Sequence, residues 1–173
     1  PYSDKNFLNE LKNDFNQRYF EMYLAYHFLK MKIDLIQKTS GPDIQFFSNN
    51  IKIRIECVTP KNGDPSKADS LIDYTLQEDN EAHIIQENRM IFRFLNALKD
   101  KSAYFQEFYG DNIDNGINII AISGCELYDR YSDDYQCPFI LKSVYPIGPL
   151  TITFDTRSIQ KTKEYYVHEA SIM

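Results

Sequence analysis

Apolar residues recur at intervals of three and four over the first thirty positions: Phe7, Leu8, Leu11, Phe15, Tyr19, Met22, Tyr26 and Leu29. No Pro or Gly interrupts them. The spacing predicts one amphipathic helix of roughly seven turns, from about Asp4 to Lys30, with Ser3 or Asp4 as its cap and this stripe turned toward the core. By the same reading Tyr19, Tyr23 and Tyr26 build core rather than a base-stacking surface. Ser40-Gly41-Pro42-Asp43 then signals a turn, and the runs Ile44-Gln45-Phe46-Phe47 and Ile51 to Val58, separated by Asn49-Asn50, predict a β-hairpin. In its second run Ile51, Ile53, Ile55 and Cys57 alternate with Lys52, Arg54, Glu56 and Val58, as in a half-buried strand.

Pro60 to Asp69 reads as a polar loop. Helical period returns from about Ile84 to Phe108, with Ile91, Phe94, Leu95, Leu98, Ser102 and Phe105 as its inward stripe. Ile117 to Ile122 is short, apolar and β-branched, as in a buried strand. Tyr128 to Gln136 is polar and loop-like. Leu141 to Tyr145 and Leu150 to Asp155 predict two more strands around Pro146-Ile147-Gly148-Pro149. This order of elements makes the chain an α/β or α+β sandwich, a single domain over 1–173.

Composition narrows the class. The 173 residues, 43% of them hydrophobic and 25% charged, suffice for a core without disulfide or metal staples and exclude wholesale disorder. No apolar run approaches the length of a membrane span and nothing at the start reads as a signal peptide, so the expected setting is cytoplasmic, with no membrane. Pro1 in place of an initiating Met is what a trimmed chain, or one domain of a longer protein, would show. The net charge of −6 weakens non-specific nucleic-acid binding, although a local basic cleft or bound metal ions can offset it. The three cysteines, Cys57, Cys125 and Cys137, lack CxxC spacing and read as free thiols.

Three carboxylates stand out by position: Glu21 on the flank of the first helix, about 100° from the centre of its stripe; Asp43 at the turn that opens a strand; and Glu56 near the end of the next strand. Two carboxylates on adjacent strands could converge on a hard cation such as Mg²⁺, which keeps waters and substrate phosphate for its other positions.

Gly41-Pro42-Asp43, a hairpin, then Ile55-Glu56-Cys57-Val58, preceded by a helical Glu21, resembles the PD-(D/E)XK nuclease superfamily. The resemblance covers the first hundred residues best. It implies the restriction-endonuclease-like fold, a three-layer sandwich with a mixed central sheet flanked by helices. It also implies Asp43 and Glu56 as ligands of Mg²⁺ or Mn²⁺, Glu21 as an accessory acid, and phosphodiester hydrolysis in DNA in preference to RNA. The family's lysine, two residues after the acid, is here Val58. Some members carry that lysine on the following helix, and Arg93-x-x-x-Ala97-x-x-x-Lys101 is similar to such a pattern. Arg93 and Lys101 lie roughly 80° apart on a helix. This makes Lys101 the expected catalytic cation and Arg93 a phosphate contact, with Lys61 in the loop after the strand as the other candidate.

Each residue also has an ordinary alternative: Glu21 a surface acid, Asp43 a turn residue bonding its own backbone, Glu56 a cross-strand ion pair, Arg93 and Lys101 a solvated helix face. Val58 equally suits a catalytically inactive module or effector, cytoplasmic or secreted, that binds a protein or nucleic-acid partner. A homodimer is compatible with cutting both strands of a duplex, but nothing in the sequence requires one. Other chemistry falls away. His27, His83 and His168 share no ligand spacing, Cys57 belongs with the apolar face of its strand, no phosphate-binding Gly-rich loop exists, and the acidic run from Asp129 to Asp134 lacks a Ca²⁺-loop pattern.

Overall fold

A computed structural model describes residues 7–37, 41–68, 70–71, 81–110, 116–127, 137–145, 147–154 and 161–168. The elements run α1 (Phe7–Asn13), α2 (Phe15–Lys30), β1 (Ile44–Ser48), β2 (Ile51–Val58), α3 (Glu81–Tyr109), β3 (Ile117–Ile122), α4 (Phe139–Val144), β4 (Ile147–Phe154) and β5 (Lys161–His168). The protein is mixed α/β, and its contacts resolve two units, each made from two stretches of chain: 1–62 with 96–127, and 63–95 with 128–173. Helix α3 contributes its first half to the second unit and its second half to the first.

The first unit is built on a three-stranded sheet in the order β1-β2-β3. Strands β1 and β2 pair antiparallel from Ile44↔Ile55 to Ser48↔Ile51. The tight connection is Asn49-Asn50, both at positive φ (49° and 63°), the pair of left-handed residues that a two-residue hairpin turn demands and that asparagine tolerates. Strand β3 joins β2 in parallel, Ile53↔Ile117 through Val58↔Ile122, after the long crossover that contains α3. The core under this sheet gathers Ala25, Ile44, Phe46, Ile53, Ile55 and Cys57, with Phe20, Leu24, Phe28, Ile33 and Leu35 packed against it.

Five expectations change here. The first helix is two helices, broken at Asp14, whose φ −144° and ψ 70° leave the helical region. The cap residues Ser3 and Asp4 lie outside the described residues. The three–four stripe faces out rather than in: Phe15, Tyr19, Met22, Tyr26 and Leu29 are all exposed, and so is Tyr23. Residues between the stripe positions (Phe20, Leu24, Ala25, Phe28) do the packing, because α2 is apolar around most of its circumference and the sheet takes only one side. Strand β2 is buried on both faces, not one, since Arg54 and Glu56 are as enclosed as Ile55. Strand β3, expected to be buried, has β2 as its neighbour in the three-stranded sheet and leaves Ile117 and Ile119 exposed. Within α3, Met90, Phe94 and Phe105 are buried, whereas Ser102 of the expected stripe is exposed.

In the second unit the run expected as a strand, Leu141 to Tyr145, belongs to the short helix α4, with only Tyr145 beyond its end. Pro138 opens α4: its carbonyl accepts the Leu141 amide, and Phe139 and Ser143, four apart, are the buried pair. Lys142 is ion-paired with Glu87 of α3. Strand β4 starts at Ile147, inside the expected separator, and tolerates Pro149 because the register with β5 shifts between Ile147 and Leu150, a bulge where no ladder amide is needed. The expected loop from Tyr128 to Gln136 lies outside the described residues.

Candidate functional site

Site geometry begins at the turn into β1. Gly41 adopts φ +86°, and a Cβ there would sit 3.0 Å from the Tyr109 hydroxyl, so glycine meets both a backbone and a space requirement. Pro42 follows fully buried. Continuing the β1–β2 register one step past Ile44↔Ile55 sets Asp43 opposite Glu56. Asp43 Oδ2 accepts the Cys57 backbone N–H at 2.9 Å, which ties the turn to the end of β2.

Glu56 points away from the core face that holds Ile55 and Cys57. Its side chain is 4% exposed and its Oε2 accepts from Lys101 Nζ at 2.7 Å, bridging 45 positions of sequence. The helical lysine singled out above therefore reaches the strand acid, in a place where Val58 offers neither charge nor hydrogen bond. Two residues earlier on the same strand face, the guanidinium of Arg54 stacks 4.5 Å over the Tyr109 ring. Charged groups on this face are buried with partners, as burial of charge requires.

Glu21 lies on the inward side of α2. It accepts hydrogen bonds from Gln17 Nε2 (2.9 Å) and Arg18 Nη1 (2.6 Å), while Arg18 also pairs with Glu10 at 2.6 Å. Burial raises the Glu21 carboxyl above its ordinary value and the nearby Asp43 charge adds to it, against the lowering effect of Gln17 and Arg18. Burial likewise pushes the Cys57 thiol up, and Asp43, Glu21 and Glu56 each reinforce the shift. Negative field from three carboxylates thus accumulates around the end of β2.

Gln17 is the residue that sequence reasoning missed. Its Nε2 donates to both Glu21 Oε1 and the Cys57 carbonyl, and its Oε1 accepts from the Thr59 amide (2.8 Å) and hydroxyl (3.0 Å). One uncharged side chain so fastens α2 to the last residues of β2. Only its offset of four from Glu21 could have flagged it, as the helical neighbour on the same face.

The remaining candidates sit elsewhere. Lys61 is exposed and ion-paired to Asp14 at 2.8 Å, a contact that raises its pKa. Arg93 belongs to the second unit, where its Nη1 lies 3.1 Å from the place a Cβ on Gly63 would take. His27 is exposed beside Tyr23; the side chains of His83 and His168 lie outside the described residues. Among the described residues no three His, Cys, Asp or Glu side chains form a ready ligand set. The donors at hand for a hard cation are the two opposed carboxylates of Asp43 and Glu56. Among those residues no helix is long and apolar enough to cross a membrane.

Comparison of the chain with protein-family models, with curated proteins and with solved structures returns no match.

Proposed function

We propose that the first unit is a restriction-endonuclease-like domain hydrolysing phosphodiester bonds, in DNA in preference to RNA, with Mg²⁺ or Mn²⁺ held by Asp43 and Glu56. The observation that carries this reading is the Lys101–Glu56 contact beside the Asp43–Glu56 opposition. It assembles two strand carboxylates and an ammonium from residues far apart in sequence, although the strand position for that ammonium is Val58. The donor set suits a hard cation, which takes one or two carboxylates and completes its shell with water and substrate oxygen. When bound, such an ion lowers the pKa of a coordinated water and neutralises charge on the leaving oxygen. The chain's own residues do the rest. Lys101 supplies a positive charge for the scissile phosphate, Glu21 accepts or holds a proton near Asp43, and the Cys57 amide keeps the Asp43 carboxylate oriented.

One observation favours a second reading, a nuclease fold without catalysis that binds a protein or nucleic-acid partner: the Glu56 carboxylate is nearly closed to solvent and already neutralised by Lys101. A melting experiment separates the two. A ligand at a hundredfold excess over its Kd stabilises the folded state by about 2.7 kcal/mol. The proposed site predicts a Mn²⁺- or Mg²⁺-dependent rise in melting temperature, abolished in Asp43→Ala and in Glu56→Ala, together with metal-dependent cleavage of duplex DNA that Lys101→Ala abolishes. A wild-type protein that ignores both metals, alone and with DNA present, overturns the catalytic reading and leaves the binding module.

A further inference from the structure

The β1–β2 ladder ends at Ile44↔Ile55, whereas β2 runs on to Val58. The Val58 carbonyl accepts the Ser123 amide on the β3 side, so by alternation the backbone groups of Cys57 and Thr59 face the side that β1 has left. Side chains take them there. The Cys57 N–H goes to Asp43 Oδ2, the Cys57 carbonyl to Gln17 Nε2, and the Thr59 N–H to Gln17 Oε1. Gln17 Oε1 also accepts the Thr59 hydroxyl, and its Nε2 also donates to Glu21 Oε1.

The Gln17 amide thereby uses both of its N–H donors and both oxygen lone pairs, the full capacity of that group. Exchanging its oxygen and nitrogen would set oxygen against the Cys57 carbonyl and the Glu21 carboxylate, and nitrogen against the Thr59 N–H. The network therefore admits one orientation, and only an amide fits it. Glu21 is held by two donors, Gln17 on Oε1 and Arg18 on Oε2. Arg18 leads to Glu10 on α1. Gln17 leads to Cys57, whose own N–H holds Asp43. Asp43 and Glu21 are thus both referred to one residue of β2, next to Glu56, and they are near enough for the Asp43 charge to act on the Glu21 carboxyl.

We propose that Gln17 is a positioning residue for the carboxylate site: by joining Glu21 to the Cys57–Thr59 end of β2, it fixes where Glu21 stands relative to Asp43 and Glu56. The inference rests on the hydrolytic reading of this site and assigns Gln17 no contact with substrate or metal. Its action runs through Glu21. Loss of the amide misplaces the acid without removing it, and small misplacements of a reacting group are costly in rate.

Single-turnover cleavage of a DNA duplex by the whole chain with Mn²⁺ tests this, read with Gln17→Met, Glu21→Gln and the double variant. Far-UV circular dichroism and a melting temperature above that of the assay are the folding control. Gln17→Met should lower the cleavage rate at saturating DNA roughly tenfold to a hundredfold and leave the half-saturating DNA concentration unchanged. The double variant should cleave within about threefold of Glu21→Gln alone, because the two residues act as one unit. A looser helix with no link to Glu21 would instead multiply the two losses, and that result overturns the inference. So does a Gln17→Met chain that cleaves at the wild-type rate. If Gln17→Met does not fold, Thr59→Val decides, since it removes one of the bonds that hold Gln17 Oε1 and keeps the side chain's shape. It should slow cleavage about threefold in wild type and leave Glu21→Gln unaffected, and equal slowing in both overturns the inference. A wild-type chain that neither binds Mn²⁺ by calorimetry nor cleaves DNA overturns the hydrolytic reading itself, and this inference with it.

Discussion

Strands β2 and β3 lie side by side in parallel and invert the usual relation between composition and burial. Strand β2 carries Lys52, Arg54 and Glu56 and is enclosed on both faces; β3, Ile-Asn-Ile-Ile-Ala-Ile, carries no charge and leaves Ile117 and Ile119 open. Position in the sheet explains the difference. β2 has a strand on each side, and the charges on its outer face survive because Lys101, Tyr109 and Asn118 answer them. Ile117 and Ile119, in register with Ile53 and Ile55, lie on the opposite face of a strand paired only with β2 among the described residues. Apolar character marks a strand that can be buried, while partners on another element determine which one is.

If that account is right, the largest effect comes from stranding the Glu56 carboxylate. Lys101→Met leaves it buried without its ammonium and is expected to cost about 2–3 kcal/mol in urea unfolding, less than a fully enclosed pair because Lys101 is 27% exposed. The double variant Glu56→Leu/Lys101→Met should recover most of that loss; failure to recover it would mean the pair does more than neutralise itself. Next in size, Ile55→Val in β2 should cost about 1 kcal/mol, the price of one buried methylene and its cavity.

Glu21→Gln sharpens the comparison through pH. Burial and Asp43 raise the folded pKa of Glu21, so the folded state holds that proton more tightly than the unfolded chain does. Stability from this group is therefore full below the ordinary carboxylate value and declines as pH rises through the folded pKa. The variant should melt higher than wild type at neutral pH, and the gap should close below about pH 4 in a pH-resolved melt. Smallest of all, Ile119→Thr on the exposed face of β3 should stay within about 0.5 kcal/mol of wild type by the same unfolding assay.

Much of the first unit was legible residue by residue. Gly41-Pro42-Asp43 and Asn49-Asn50 need special backbone geometry, and such needs are local, so the hairpin could be read directly. The approach of Lys101 to Glu56 was legible only through the pattern of a helical lysine, since nothing local links the two. The stripe of α2 misled because period reveals a face and not the direction it looks. A helix apolar nearly all round can pack by either side, and here Gln17, through three hydrogen bonds with Cys57 and Thr59, fastens the side that carries Phe20, Leu24 and Phe28 to the sheet. Helix α4 was missed because six residues are too few for either period to declare itself, and its helicity rests on Pro138 and on the tertiary burial of Phe139 and Ser143.

Interleaved connectivity also sets a timetable for synthesis. The β1–β2 hairpin leaves the ribosome about sixty residues before β3 supplies its parallel neighbour, and that interval is occupied by chain belonging mostly to the other unit. At ~5–20 residues per second, the hairpin waits roughly 3 to 12 s with one edge of β2 unpaired. Lys52, Arg54 and Glu56 put charge on that waiting strand, and charge on an unpaired strand disfavours pairing with another chain. Charges that must be answered by partners in the finished sheet thus carry an opposite value while its edge is open.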